Sequence, residues 1–271
     1  MDARTIEYRG TPCIEIEREG SRAIVALHGA QVLSWIAADG RQRLFLGERA
    51  EFGPGKAIRG GIPVIFPQFA ARGPWRRHGF ARITPWQFDG VVADAAHFTL
   101  EVQASAEWPH ACALSLAVEL QAQRLGVRLC VTNTGATPFE FTAALHSYLR
   151  VSALESAALH GLEHCDFVDS AANATPCSAT RAPIRFDREV DHIYGDVQAP
   201  LTLRDGVHQI AIAQNGFSDV VVWNPGAALA ATITDLAPDE YRRFVCVEAA
   251  HVLQPCALEP GMHWQGWQTL G

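Results

Sequence analysis

Three separated groups of residues carry side chains able to move a proton or hold an anion. The first lies in residues 56–82, KAIRGGIPVIFPQFAARGPWRRHGFAR. This segment holds six basic residues and no Asp or Glu, in a chain of formal charge −7. Guanidinium groups set among bends and aromatic walls suit recognition of a planar or tetrahedral oxyanion, because the rigid fork donates paired hydrogen bonds. Arg59 and Arg82 are each flanked by apolar or glycine residues and read as the anion-holding pair. Arg76 and Arg77 sit together as at a turn tip and read as solubilising charges. The second group is Phe244-Val-Cys-Val-Glu248, where a carboxylate ends an apolar run. Burial raises carboxyl basicity, which suits a general base near neutral pH. A strand-end salt bridge to a loop arginine is the structural alternative. The third is His146, which on a strand shares a face with Thr142, Ala144 and Tyr148. Its residues alone favour a hydrogen-bonded core histidine over a pocket wall.

The elements that must position these groups are strands. Residues 56–82 are too rich in Gly and Pro for a continuous helix. Elsewhere apolar and polar residues alternate over 13–17, 23–27, 98–103, 113–120 and 125–132, then over 210–213, 219–223 and 243–248. Residues 139–151 read as one long strand, and 154–164 is the one short ambiguous stretch. Asn133-Thr134-Gly135 reads as a turn, and His28 as a structural residue at a strand-to-turn junction. Many short alternating strands at close spacing predict an all-β antiparallel sandwich, organised as a single domain over residues 1–271 with long loops over one face.

Two motifs in the first segment, Arg59-Gly-Gly-Ile-Pro-Val-Ile-Phe-Pro-Gln68 and His78-Gly-Phe-Ala-Arg82, resemble the signature of the hexose-6-phosphate mutarotases, or glucose-6-phosphate 1-epimerases, of the galactose-mutarotase-like superfamily. Further segments extend the likeness from near Gly29 to Trp264. The resemblance implies a galactose-mutarotase-like β-sandwich and interconversion of sugar anomers. It makes Glu248 the catalytic base and His146 the acid, reversing the reading of His146 from its neighbours alone. It implies that Arg59 and Arg82 hold the 6-phosphate while Gln68, His78 and Asp191 orient the sugar; His78 is a second candidate for the acid. Asp191, in Glu189-Val-Asp191-His-Ile-Tyr194, resembles the family's acidic sugar-binding loop, although an aspartate in a turn fits that stretch equally well. The scheme expects acid and base to face each other across a sugar-sized gap. Trp223-Asn224-Pro225 resembles the family's loop beside the site, after which the chain departs from the family, with Gly226-Ala-Ala-Leu in place of another aromatic and a lysine.

The remaining features narrow the class. The acidic balance argues against nucleic acid or an anionic membrane as partner. The start, MDARTIEYRG, has no apolar leader core, and no apolar run approaches a membrane span. Seven scattered cysteines without a CxxC pair fit reduced thiols in the cytoplasm. Gly53-Pro-Gly55-Lys56 lacks the Ser or Thr of a phosphate loop, and His160 with His164 has no further metal ligands in a recognisable arrangement. The expectation is therefore a monomeric enzyme acting on a sugar phosphate, with no metal and no cofactor. The alternatives are an aldose 1-epimerase for unphosphorylated sugar and a non-catalytic carbohydrate-binding protein on the same fold.

Overall fold

The computed structural model describes residues 1–271 as three antiparallel sheets. The sheet that carries the site runs Thr175–Cys177, Phe167–Asp169, Val190–Tyr194, Asp219–Asn224, Phe244–Leu258, Phe139–Leu145 and Val64–Ile65, with Tyr148–Arg150 also paired to Phe244–Leu258. A second eight-stranded sheet runs from Ala157–His160 at one edge to Gln87–Val92 at the other, with His263–Leu270 and Arg124–Asn133 at its centre. Asp2–Tyr8, Thr11–Arg18, Ser21–Ala26 and Val32–Ile36 form the third.

Side chains alternate across a strand, and that period sorts core from site. Val245, Val247 and Ala249 join Ala143, Leu145, Val220 and Val222 in a core of 53 buried residues shared with Leu116, Val118, Leu129 and Val131 of the second sheet. The intervening residues Phe244, Cys246 and Glu248 point to the opposite face, with Ala144, His146 and Tyr148 beside them. The chain thus presents apolar bulk inward and its ionisable groups outward from the same short strands.

The structure differs from the sequence reading at residues 139–151 and at Asp191, and it settles two stretches that the reading left open. Residues 139–151 form two strands, Phe139–Leu145 and Tyr148–Arg150, parted at His146 and Ser147. The break is held from outside: the His146 N–H donates to the Pro63 carbonyl and the Tyr148 N–H to the Gly61 carbonyl. Gly61 has a φ of 63°, and a Cβ there would collide with the Val32 carbonyl, so this position accepts only glycine. Asp191 lies on a strand, Val190–Tyr194, rather than in a loop. The ambiguous stretch opens with the 3₁₀ turn Leu154–Ser156 and continues as the strand Ala157–His160. Gly226-Ala-Ala-Leu starts the chain's one α-helix, Gly226–Ala230.

Behind the break, the second sheet braces it. The Ser147 hydroxyl donates to Gln268 Oε1 at 2.5 Å, and Gln268 Nε2 donates to the Val247 carbonyl at 2.9 Å. Both side chains are buried. Replacing Gln268 by Met keeps the volume and strands both partners, so urea denaturation should give a loss of about 1–3 kcal/mol. A loss within the scatter of surface substitutions would show that the brace carries no weight.

Candidate active site

The register of the site sheet stacks two rows of side chains on its outward face. One row is Asp191, Trp223, Cys246 and Tyr148, each the cross-strand partner of the next. The other starts Ile193, Val221 and Glu248. Leu145 pairs with Ala249 and Tyr148 with Cys246, so His146 continues the second row beside Glu248. These rows floor a cavity of about 280 Å³. The loop residues Phe69, Ala70, Arg77 and His78 wall it together with Arg59 and Arg82, and Leu229 and Ile233 close another side. The volume suits one monosaccharide.

His146 Nε2 and Glu248 Oε1 lie 3.3 Å apart. The expected sugar-sized gap between acid and base is not there. Residues directly opposite on paired strands bring their side chains into contact, and this pair follows that rule. Burial, followed by the charge of Asp191, pushes the Glu248 carboxyl well above its usual range, with Arg82 opposing. Burial, then Arg82 and Arg59, lowers the His146 imidazole to about 3. One proton shared between the two groups satisfies both tendencies. The other atoms of the pair, His146 Nδ1 and Glu248 Oε2, are buried and bond to nothing in the protein. Such a group costs about 1–3 kcal/mol, so a ligand that reaches these atoms recovers what folding gave up.

Tyr148 lies flat against His146, with ring centroids 4.9 Å apart and planes at 10°. Trp223 stands edge-on to both rings. The imidazole is therefore fixed on one face and along one edge. His78 sits 5.7 Å from His146, centroid to centroid, at a φ of 60°. Its Nδ1 accepts from the Ala70 N–H at 3.3 Å, so a neutral ring carries its proton on Nε2. Burial first, then the charge of Arg82, lowers the His78 pKa and keeps that ring neutral. His78 is placed as a hydrogen-bond donor.

The two arginines expected to act as a pair differ. Arg59 is bound to Asp235 through Nη2 at 3.1 Å and Nε at 3.3 Å, and its Nη1 donates to the Tyr148 hydroxyl at 3.0 Å. Arg82 has no carboxylate partner. Its Nη2 donates to the Arg77 carbonyl at 3.3 Å, and its buried Nε is unpartnered. Burial, with Arg59 and Arg77 adding to it, lowers the guanidinium to about 10. Arg77, read from sequence as a solubilising turn residue, lines the cavity, whereas Arg76 does not. The 56–82 loop folds back over the sheet, and that return cannot be read from a dipeptide.

Asp191 lines the cavity at the far end of its row, its carboxyl raised to about 6 by burial and by Glu189. Gln68 does not line it. Its amide donates to the carbonyls of Ala70 and Trp75 and accepts from the Trp75 N–H, so it clasps the loop that carries His78. Asp235 escaped the sequence reading altogether, and Trp223, placed by the resemblance in a loop beside the site, stands on the strand Asp219–Asn224 and lines the cavity. Trp223 shares parity with Val221 on a recognised strand; Asp235 lies in an irregular segment with no pattern.

A model of the aldose 1-epimerase family matches residues 12–271. A protein of Cenchrus ciliaris provisionally named a glucose-6-phosphate 1-epimerase is 35% identical over 260 residues, covering 90% of this chain and 79% of its own. One of Escherichia coli K12 with the same provisional name is 34% identical over 248 residues, covering 88% of this chain and 82% of its own. The crystal structure of a Salmonella typhimurium protein provisionally named a mutarotase superposes with a TM-score of 0.88 at 27% identity, over 99% of this chain and 92% of that one. A galactose mutarotase-like protein of Lactobacillus casei shares the fold, with a TM-score of 0.77 at 18% identity over 95% and 99% of the two chains.

The buried carboxyl makes a signed prediction. A raised folded pKa means the native state holds the proton more tightly than the unfolded chain. That stability is present below the ordinary Glu pKa and lost as pH rises through the shifted one. Glu248→Gln removes the titration. It should gain on wild type between pH 4 and pH 8 by at least ~1.4 kcal/mol, the equivalent of one pKa unit. Parallel urea curves for the two proteins at both pH values would refute the raised carboxyl.

Proposed function

The chain belongs to the aldose 1-epimerase family, and on that premise we propose that it interconverts the α and β anomers of a hexose 6-phosphate, glucose 6-phosphate above others. Arg82 carries the phosphate part of this reading. It is a guanidinium facing a sugar-sized cavity, without a carboxylate partner and with Arg77 beside it. A phosphate dianion supplies the missing charge and accepts the paired hydrogen bonds the fork offers. Arg59 adds to the field of the site but is already matched by Asp235. The curated relatives named above support glucose 6-phosphate as the hexose.

The side-by-side pair suits ring opening. The anomeric hydroxyl and the ring oxygen are bonded to the same carbon, so the groups that serve them can themselves be neighbours. Glu248, as carboxylate, takes the proton of the anomeric hydroxyl. The electrons of that O–H bond form the carbonyl, the bond from C1 to the ring oxygen breaks, and the ring oxygen takes its proton from the His146 imidazolium. The aldehyde turns about its bond to C2, and closure runs the transfers backwards. The pair ends with the one proton it began with, so neither metal nor cofactor enters the scheme.

Phosphate binding also arms the acid. Arg82, Arg59 and Arg77 all lower the His146 pKa. A dianion that neutralises them shifts the shared proton towards the imidazole. Asp191 accepts from sugar hydroxyls and His78 donates through Nε2. The seven free cysteines fit a reducing, cytoplasmic setting, and no helix is long and apolar enough to cross a membrane.

Polarimetry on freshly dissolved α-glucose 6-phosphate tests the proposal. Arg82→Ala should raise KM for the phosphosugar about a hundredfold, the loss expected for a charge-assisted contact of ~3 kcal/mol. Turnover of glucose should not fall, because the same substitution lifts the suppression of the His146 acid. An unaltered KM for the phosphosugar would favour an epimerase of unphosphorylated aldose. Glu248→Gln should cut kcat by about 10²- to 10⁴-fold. If wild type leaves the optical rotation relaxing at its buffer rate, the protein only binds sugar.

A further inference from the structure

The turn that presents His78 to the active site presents a guanidinium beside it. The Gly79 N–H donates to the Arg76 carbonyl at 2.7 Å, so Arg77 and His78 are the two central residues of a tight turn. His78, at the second of these positions, has a φ of 60°, the left-handed backbone that type II turns carry there. Gly79 follows at 65°, and a Cβ on it would collide with the Phe66 carbonyl, so the turn is seated hard against the loop. The Arg77 carbonyl accepts from Arg82 Nη2 at 3.3 Å, which ties the turn to the second arginine of the site. Arg76 and Arg77 are adjacent, alike and both exposed, yet only Arg77 lines the cavity.

Three guanidinium groups line that cavity, and they differ in what holds them. Asp235 matches Arg59. Arg82 gives one hydrogen bond to a backbone carbonyl and keeps its Nε unpartnered. The Arg77 side chain makes no ion pair and gives no hydrogen bond. Asp191, the one carboxylate besides Glu248 in the lining, pairs with none of the three, and Leu229 and Ile233 add no charge. Burial lowers the pKa of His78, His146 and Arg82, and the Arg77 charge adds to it in all three.

Two unmatched guanidinium groups set the class of anion. A phosphate monoester carries close to two negative charges at neutral pH and three terminal oxygens, enough to accept from both forks. A carboxylate carries one charge on two oxygens, and a single fork satisfies it. Hexoses bear either group at C6, as 6-phosphates or as uronates.

We propose that Arg77 is a second phosphate-binding residue, which with Arg82 makes the site select a hexose 6-phosphate over the uronate that carries a carboxylate at the same carbon. The inference rests on the reading of the cavity as a phosphosugar site and deepens it. Arg77 contributes less than Arg82, because an exposed guanidinium must shed water that a buried one has already lost.

Titration calorimetry of the intact protein with glucose 6-phosphate and with glucuronate, at constant ionic strength, is the test. Arg77→Gln should weaken glucose 6-phosphate about tenfold and glucuronate no more than about threefold. Arg76→Gln removes the same charge one residue away, from a side chain outside the cavity, and should weaken either ligand less than about twofold. Both replaced side chains are exposed, so the variants keep the fold. Equal losses of glucose 6-phosphate affinity in the two variants would mean a diffuse field in place of a contact and would overturn the proposal. So would equal losses for phosphosugar and uronate in Arg77→Gln. Either result leaves the phosphosugar reading standing where Arg82→Ala weakens glucose 6-phosphate. A wild type that takes up no glucuronate already shows the selection, and the comparison with Arg76→Gln then decides whether Arg77 makes it. A wild type that binds glucose 6-phosphate no better than glucose sinks the phosphosugar reading and this inference together.

Discussion

The structure turns on a contact of 3.3 Å between one imidazole nitrogen and one carboxyl oxygen. Both groups are buried, and desolvation disfavours the charged form of each. Separately they would be two costs. In contact they become a single proton with two positions, and burial together with the nearby arginines keeps it on Glu248 in the empty site. Ring opening of a cyclic sugar needs a proton removed at one oxygen and delivered at another on the same carbon. A pair able to exchange its one proton internally matches that need without exchange with solvent.

Holding that contact explains features that look unrelated along the chain. The strand is interrupted at His146 and Ser147, and the N–H groups of His146 and Tyr148 turn to acceptors outside the sheet. Gly61 and Pro63 supply them, which gives the Gly-Gly-Ile-Pro run a structural duty as well as a place in a motif. Ser147, facing the core, needs a polar partner there, and Gln268 comes from the other sheet to provide it. Tyr148 stacks on the ring, and the Arg59 guanidinium held by Asp235 pins the Tyr148 hydroxyl. A displaced Asp235 would thus reach the His146 ring through two intermediates.

Much of this was legible in the sequence for a simple reason: period-two alternation is local. The strands at 113–120, 125–132 and 219–223, the parity that pairs His146 with Tyr148, and the parity that aligns Glu248 with Cys246 and Phe244 all follow from reading every second residue. What was not legible depends on distant partners. Nothing within 139–151 signals a break, because no Gly or Pro interrupts it; the cause sits some eighty residues earlier. Gln68 stands inside a recognisable motif, yet its amide is consumed by the loop that the motif builds. Asp191 carries no local mark that distinguishes a turn from a strand, and only its pairing with Trp223 places it on the floor of the cavity.

The arginines show why residue type does not settle residue role. Arg59 and Arg82 come from one loop and border one cavity, and sequence treats them alike. Asp235, from a segment more than 150 residues away, separates them by matching the first charge and leaving the second. A guanidinium already bonded to a carboxylate gains less from an incoming anion, because the anion must compete with or share an existing partner. One that is half-buried, with its Nε unpartnered and its only bond to a backbone carbonyl, gains most of the interaction. The same reasoning ties recognition to chemistry. The arginine charge that would draw in an anion also lowers the His146 pKa, so on the proposed reading the anion's arrival would both fill the pocket and prepare the acid. Substrate without the anionic group would enter a site whose acid is still suppressed, and discrimination would then appear in the chemical step as well as in binding.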